Sequence, residues 1–350
     1  SLILCWLALP ALAEPYRIAT YAAPLSREGP GLLLRDIDKG EDPQIAAIIA
    51  VIKQTAPDIL LLTDFDYDYG GAALAAFSRA LADAGHPMPY VFARQPNTGL
   101  ATGLDHDGDG RLGDARDNQG YGRFAGDGGM AVLSRFPIGA DGAGDFSDLL
   151  WRDIPGATLP PMTGELRAVQ RLSETAHWVV PIHPANGPPI TLLAYSATAP
   201  VFDGPEDRNG LRNRDETRFW MQFLDGTWGP PPEGRFAIIG NANLDPVDGE
   251  GFRDTMSELL GDPRVQDPKP ASLGAVAAAD PAHSGDPALD TVDWRSDGPG
   301  NLRVSYVIPS ADWQIIGAGV YWPAPGDESL LGSDGLVAGA HRLVWVDVGG

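Results

Sequence analysis

Two spacings of apolar residues run through this chain, and they set out its elements before any chemistry is considered. The segment Tyr16-Arg17-Ile18-Ala19-Thr20-Tyr21 reads as a strand. Asp42-Pro43 opens a helix, since Pro fits a first-turn position. Ile45, Ile48, Ile49 and Ile52 follow at helical spacing and give that helix one apolar face. From Asp58 to Leu62 the residues are nearly all apolar over the length of a strand, as expected of a strand buried on both faces. An Ala-rich helix is expected from Gly71 to Ala84, ending before Gly85. Gln95 to Gly129 is dense in Gly and Asp and reads as loop, followed by a strand from Met130 to Ser134.

Further strands are expected at Trp178–Ile182, Ile190–Tyr195, Phe236–Gly240, Val304–Pro309, Ile315–Val320 and Arg342–Val348. A helix at Asn213–Leu224 carries Phe219, Trp220 and Phe223 on a packing face. Asp262 to Asp290 is rich in Pro, Ala, Gly and Asp and is expected to be a long surface loop. No segment looks like a linker and no repeat is visible. Strands outnumber helices and reach both ends, so one α/β sandwich over 14–350 is the expected organisation.

The front of the chain changes the picture. Leu2 to Leu12 is apolar and uncharged and ends in Ala11-Leu12-Ala13 before Glu14-Pro15. That is the pattern of a secretory signal peptide over residues 1–13, too short for the roughly 20 apolar residues of a membrane span. No charged n-region precedes it, so the sequence is expected to begin inside the signal. The only cysteine, Cys5, lies within it and follows Leu4 where a lipoprotein signal needs a small residue, which argues against a lipid anchor. We therefore expect an exported protein, periplasmic or secreted, with no disulfide. With 47 acidic and 25 basic side chains the formal net charge is −22. Such a surface repels a phosphate backbone, so nucleic acid is not an expected partner.

The order of several segments resembles the endonuclease/exonuclease/phosphatase superfamily, which includes pancreatic-type DNases and abasic-site endonucleases, and in particular an exported bacterial branch of it. The segments are Arg17-Ile18-Ala19-Thr20-Tyr21, Pro57-Asp58-Ile59-Leu60-Leu61-Leu62, Gly129-Met130-Ala131-Val132-Leu133-Ser134-Arg135 and Pro200-Val201-Phe202-Asp203-Gly204-Pro205-Glu206-Asp207. Asn301-Leu302-Arg303-Val304, Gly319-Val320-Tyr321-Trp322-Pro323 and His341-Arg342-Leu343-Val344 complete the series. The resemblance implies an α/β class fold, a four-layer α/β/β/α sandwich. It also implies a site at the strand ends of one rim that hydrolyses phosphoesters with Mg²⁺, no organic cofactor being involved.

Placed on that pattern, most of the site's chemistry is missing. The family's Asn at the end of the first strand is Ala22, and its metal-binding Glu at the end of the second is Asp64. Gly128 stands where the branch has a side chain before Gly-Met. The first catalytic His is Ser196, which cannot carry a proton as an imidazole does near neutral pH. The motif Gly-Asp-x-Asn reads Gly240-Asn241-Ala242-Asn243, and Asn241 has no titratable proton to act as a base. The acidic residue after Asn-Leu-Arg-Val is Ser305, and the final Ser-Asp-His is Gly339-Ala340-His341. Asp64, Asn243 and His341 thus form a remnant, with Asp64 as the remnant Mg²⁺ ligand.

Three readings follow, one of them a calcium-stabilised structural or interaction protein of the envelope. In a second the chain is a pseudoenzyme that binds a small phosphorylated ligand, a metal or a protein partner without turnover. In the third it is an active metal-dependent phosphoesterase on a rearranged set, Asp64, Asn243, Asp245 and His341. A third feature is Asp105, Asp107 and Asp109 in Leu104-Asp105-His106-Asp107-Gly108-Asp109-Gly110, which has the alternation of a calcium loop. Arg116 stands where an EF-hand needs Glu, so the readings are a Ca²⁺ loop of another geometry or a solvated Asp/Gly turn. The charge-dense stretch Asp203 to Glu216 reads as internal salt bridges plus helix capping. His86, His106, His177, His183 and His283 show no ligand spacing and are expected at the surface or in loops.

Overall fold

The structure is a computed structural model that describes residues 15–185, 187–294, 298–327, 331–332 and 335–349. The expected signal peptide, 1–13, lies outside the described residues. Along the chain run β1 (Tyr16–Leu25), α1 (Leu32–Lys39), α2 (Pro43–Thr55), β2 (Ile59–Phe65), α3 (Ala72–Asp83), β3 (Tyr90–Phe92) and β4 (Gly129–Ser134). Next come β5 (Gly144–Asp145), α4 (Gly164–Val169), β6 (Ala176–Ile182), β7 (Ile190–Ser196), α5 (Arg208–Leu224), β8 (Phe236–Asn241) and α6 (Arg253–Leu260). The last are α7 (Leu273–Ala277), β9 (Ser305–Pro309), β10 (Gln314–Val320) and β11 (Val344–Gly349). No helix among the described residues is long and apolar enough to cross a membrane.

The strands form two sheets, ordered β10-β11-β1-β2-β4-β3 and β5-β6-β7-β8-β9. Central strands are apolar along most of their length because each faces a covered layer on both sides. In β2, Ile59 and Leu61 point to the space between the sheets, while Leu60 and Leu62 meet the outer helices. In β7, Leu192 and Ala194 point between the sheets, while Leu193 and Tyr195 meet α5 and α6. Helices α1, α2 and α3 cover one outer face through Leu33, Ile48 and Phe77, and α5 covers the other through Phe219, Trp220 and Phe223. The architecture is the four-layer α/β/β/α sandwich.

Local signals explain most elements. Asp42 caps α2 by accepting from the Gln44 and Ile45 amides, with Pro43 at the first helical position. Gly240 has a φ of 147°, and a Cβ there would overlap the Tyr195 carbonyl of the neighbouring strand, so only Gly closes this rung of the β7–β8 pair.

The structure corrects three expectations. Helix α5 starts at Arg208, five residues before Asn213, because its charged residues find buried partners: Arg212 binds the Leu172 carbonyl and the Glu174 carboxylate, and Asn213 donates to the Thr198 and Ala242 carbonyls. The stretch 262–290 is not simply surface loop, since α7 and a 3₁₀ turn at Pro287–Leu289 lie in it and Val265 and Ala275 are buried. His177 is no surface histidine: it is fully buried, with its ring between Ser173 and the Glu216 carbonyl.

Trp178 sits in the middle of the layer between the sheets, edge-on to Phe92 with ring centroids 5.3 Å apart. Trp178→Ala should lower the unfolding free energy by about 3–5 kcal/mol, read as a lower denaturant midpoint at unchanged slope.

Candidate functional site

The strand register brings the substituted positions together. Ser196 pairs with Asn241 across β7 and β8, and Asn241 pairs with Ser305 across β8 and β9, so three of the five are consecutive rungs. In the other sheet Ala22 pairs with Thr63, the residue before Asp64. Of these, Ser196 and Asn241 line a cleft of about 1350 Å³ together with Thr63, Asp64 and Asn243, while Ala22 and Ser305 lie behind it. Part of its wall is the 98–128 segment, including Asp105 and Asp107, and part is the turn into α5.

Each rim side chain is held by its own chain. Asp64 takes a left-handed backbone, φ 66°, where β2 runs out of sheet. A Cβ on Gly128 would stand 3.0 Å from the Asp64 Oδ1, and Gly128 has a φ of 57°, so the absent side chain at 128 keeps space beside the carboxyl. Burial pushes the Asp64 carboxyl up to about 7, against a hydrogen bond from Ser26, and the Asp66 and Asp127 carboxylates push the same way. Asn243 has a φ of 49° and donates through Nδ2 to the Ala197 carbonyl, 2.7 Å. Asn241 Oδ1 accepts from the Asn243 amide at 3.4 Å.

The other remnant residues lie elsewhere. His341 pairs with Val292 away from the cleft lining, edge-on to Trp294 at 5.4 Å. Among the described residues its buried Nδ1 has no partner, and burial, then Arg342, lowers its pKa to about 4. Ala340 uses its carbonyl to accept from the Asp293 amide. Asp245 is taken up by the backbone amides of Val247, Asp248 and Arg303. Ser305 is fully buried, and among the described residues its Oγ has no partner.

A hard divalent cation takes about six or more oxygen ligands, several of them charged. Beside the strand ends the cleft lining offers two carboxyls, Asp64, which is buried, and Asp127. The neighbouring Asp66 already accepts from the Gly128 and Arg27 amides, and Asp127 from that of Arg123. The rim residues do not fit the metal that the family uses. An acidic triad does exist: among the described residues Asp105, Asp107 and Asp109 place ligand oxygens within 4.8 Å of one another. Backbone amides fold this loop onto its own carboxylates, Gly108 and Gly110 to Asp105, Asp109 to Asp107 and Arg111 to Asp109.

Two cleft residues carry features that periodicity could not single out. His106 sits inside the Asp loop, its amide bonded to Asp117 Oδ1 at 2.8 Å, and its ring is buried. Arg208 opens α5 and reaches that ring. Behind them Glu216 is fully buried and accepts from the Glu174 and Thr198 amides, fixing the cleft floor, with burial pushing it up to about 8.

A model of the Endonuclease/Exonuclease/phosphatase family matches residues 37–334, and the chain belongs to that family. It is similar in fold to a solved endonuclease/exonuclease/phosphatase from Beutenbergia cavernae DSM 12333, at 16% identity and a TM-score of 0.57, over 96% of this chain and 72% of that one. It is also similar to sphingomyelinase C from Streptomyces griseocarneus, at 14% identity and a TM-score of 0.51, over 95% of this chain and 99% of that one. No curated protein matches the sequence.

Asp64 holds a proton in the folded chain up to about pH 7 but loses it near 3.8 when unfolded. Its contribution to stability is therefore full below pH 3.8 and is lost as pH rises through 7. Carbon-detected NMR should find the Asp64 midpoint near 7 and unmoved by millimolar Mg²⁺, whereas a coordinated carboxylate would titrate well below its metal-free midpoint. Asp64→Asn should flatten the loss of stability on raising the pH from about 4 to about 7.

Proposed function

We propose that this chain is an exported, catalytically silent member of its family, a pseudoenzyme that binds a small ligand or partner in the strand-end cleft. The observation that carries this reading is the rim itself. Ser196, Asn241 and Ser305 occupy three adjacent rungs and Ala22 a fourth position, and none of them supplies a carboxylate or an imidazole. Metal-assisted hydrolysis needs a held cation, an activated water and charge stabilisation at the phosphoryl oxygens. Removing one member of such a unit costs on the order of 10⁴-fold in rate, so loss at several positions leaves little turnover. Export rests on the apolar segment before Glu14, which ends in Ala11-Leu12-Ala13.

For the metal, the convergence of Asp105, Asp107 and Asp109 favours Ca²⁺ at the loop over Mg²⁺ at the rim. Such a cation would hold a cleft wall rather than a reacting group.

The purified chain should not hydrolyse a generic phosphodiester above background with Mg²⁺, Mn²⁺ or Ca²⁺. Turnover that disappears in Asp64→Ala or His341→Ala would contradict this. Calorimetry should show saturable Ca²⁺ heat that is lost in Asp107→Ala, and no heat in the parent chain would return the loop to an ordinary Asp/Gly turn.

A further inference from the structure

We propose that the apolar groove beside the cleft mouth, between Phe202 and Phe252, docks an arginine side chain presented by a partner protein. The groove shares Phe202 with the cleft but needs neither a cleft ligand nor the loss of hydrolysis.

Two loops build it. The one before α5 supplies Pro200 and Phe202, the one before α6 supplies Phe252, and the space between them is about 470 Å³. Phe202 is 87% exposed, and its left-handed backbone, φ 70°, carries the ring away from any core. The charged lining is Asp203, Asp207 and Glu250, with no basic side chain. The chain already stacks a guanidinium on this wall. Arg214 lies over the Phe252 ring at 5.2 Å, while its Nε and Nη2 both donate to Asp215 Oδ1. A planar cation with a fork of donors suits an aromatic face flanked by carboxylates better than the point charge of an ammonium does.

The carboxylates lack a cation of their own. Among the described residues no Arg, Lys or His nitrogen lies within 4.0 Å of Asp203, Asp207 or Glu250, whereas Arg212 and Glu174 pair nearby. Arg208 and Arg214 act on Asp203 and Asp207 from farther off, and Arg208 turns away to His106 and Gln170. Asp203 Oδ2 accepts from the Asn209 amide at the start of α5. Both α5 and α6 begin here, and a helix N-terminus carries roughly half a positive charge, about one charge in all against three carboxylates. The excess is felt at Asp207, where burial and then Asp203 raise the pKa against the Gly210 amide.

The form of the groove selects the source of the cation. Phe202, Asp203, Asp207 and Glu250 are all exposed, so the groove does not enclose a free molecule as a small-ligand pocket does. A side chain held in place by further contacts of a partner needs no enclosure, and the net charge of −22 steers a basic surface towards it.

The test titrates the whole chain with N-acetylarginine N-methylamide, its citrulline and lysine counterparts and free arginine, in about 0.15 M salt to screen diffuse attraction. NMR reads the Gly204 and Gly251 amides. Saturable shifts are expected with the capped arginine, weaker ones with lysine, and none with citrulline, which keeps the shape without the charge. Phe202→Ala and Glu250→Gln should each weaken binding about threefold or more. No saturable shift with the capped arginine overturns the proposal, as does equal binding of citrulline or lysine. Binding that both variants leave unchanged would place the cation elsewhere on the acidic surface and also overturn it. Tighter binding of free arginine than of the capped form would overturn the partner side chain in favour of a small molecule. Should a variant fail to fold, the comparison of arginine with citrulline on the parent chain still decides. Metal-dependent hydrolysis would overturn the silent-enzyme reading and leave this titration untouched.

Discussion

The dry layer between the two sheets is the constraint on which the rest depends. Ile59, Leu61, Val132, Trp178, Leu192, Ala194, Ile239, Val307 and Val346 fill it, contributed by strands of both sheets. Burial of this apolar surface is proportional to area and indifferent to what stands at the strand ends. Position and chemistry therefore separate. The layer fixes where residues 22, 64, 196, 241 and 305 lie, whatever their side chains are, and a scaffold that keeps the layer can lose the site without losing the fold.

Helix α5 carries that positioning from the core to the cleft. Its apolar side, Phe219, Trp220 and Phe223, anchors on the second sheet, while Arg212, Asn213 and Glu216 tie down the loops that follow the strands. Asn213 alone bridges the Thr198 and Ala242 carbonyls, just beyond the Ser196 and Asn241 positions. Breaking such a contact leaves a buried carbonyl and a buried donor unmade, which costs about 1–3 kcal/mol, so it fixes one arrangement. The cleft is thus rigid at its floor even where it has lost reactive groups. Its other wall is the Gly- and Asp-rich segment that brings His106 to Arg208.

Much of this was legible in the sequence, and what was not has a physical reason. Strands such as Asp58–Leu62 and Met130–Ser134 announce themselves by apolar runs of the right length, and Asp42-Pro43 marks a helix start. The family resemblance and the four layers follow from the order of such segments. The first turn of α5 was missed because Arg208 to Arg214 carries no apolar period and is helical only through long-range partners such as Glu174 and Leu172. The empty rim could be named residue by residue, yet only the register shows that Ser196, Asn241 and Ser305 are adjacent rungs. That His341 stands apart from Asp64 and Asn243 is equally invisible in one dimension. His106 and Arg208 are 102 residues apart, and no spacing rule joins them.

The central claim is that the site was lost by substitution on an intact scaffold. It is tested most directly by restoring the family's residues together, as Ala22→Asn, Ser196→His, Asn241→Asp, Ser305→Asp and Ala340→Asp. Mg²⁺-dependent hydrolysis of a generic phosphodiester is then compared with that of the parent chain. The account predicts a metal-dependent rate in the restored protein and only background in the parent. Equal metal-dependent rates in both would contradict it.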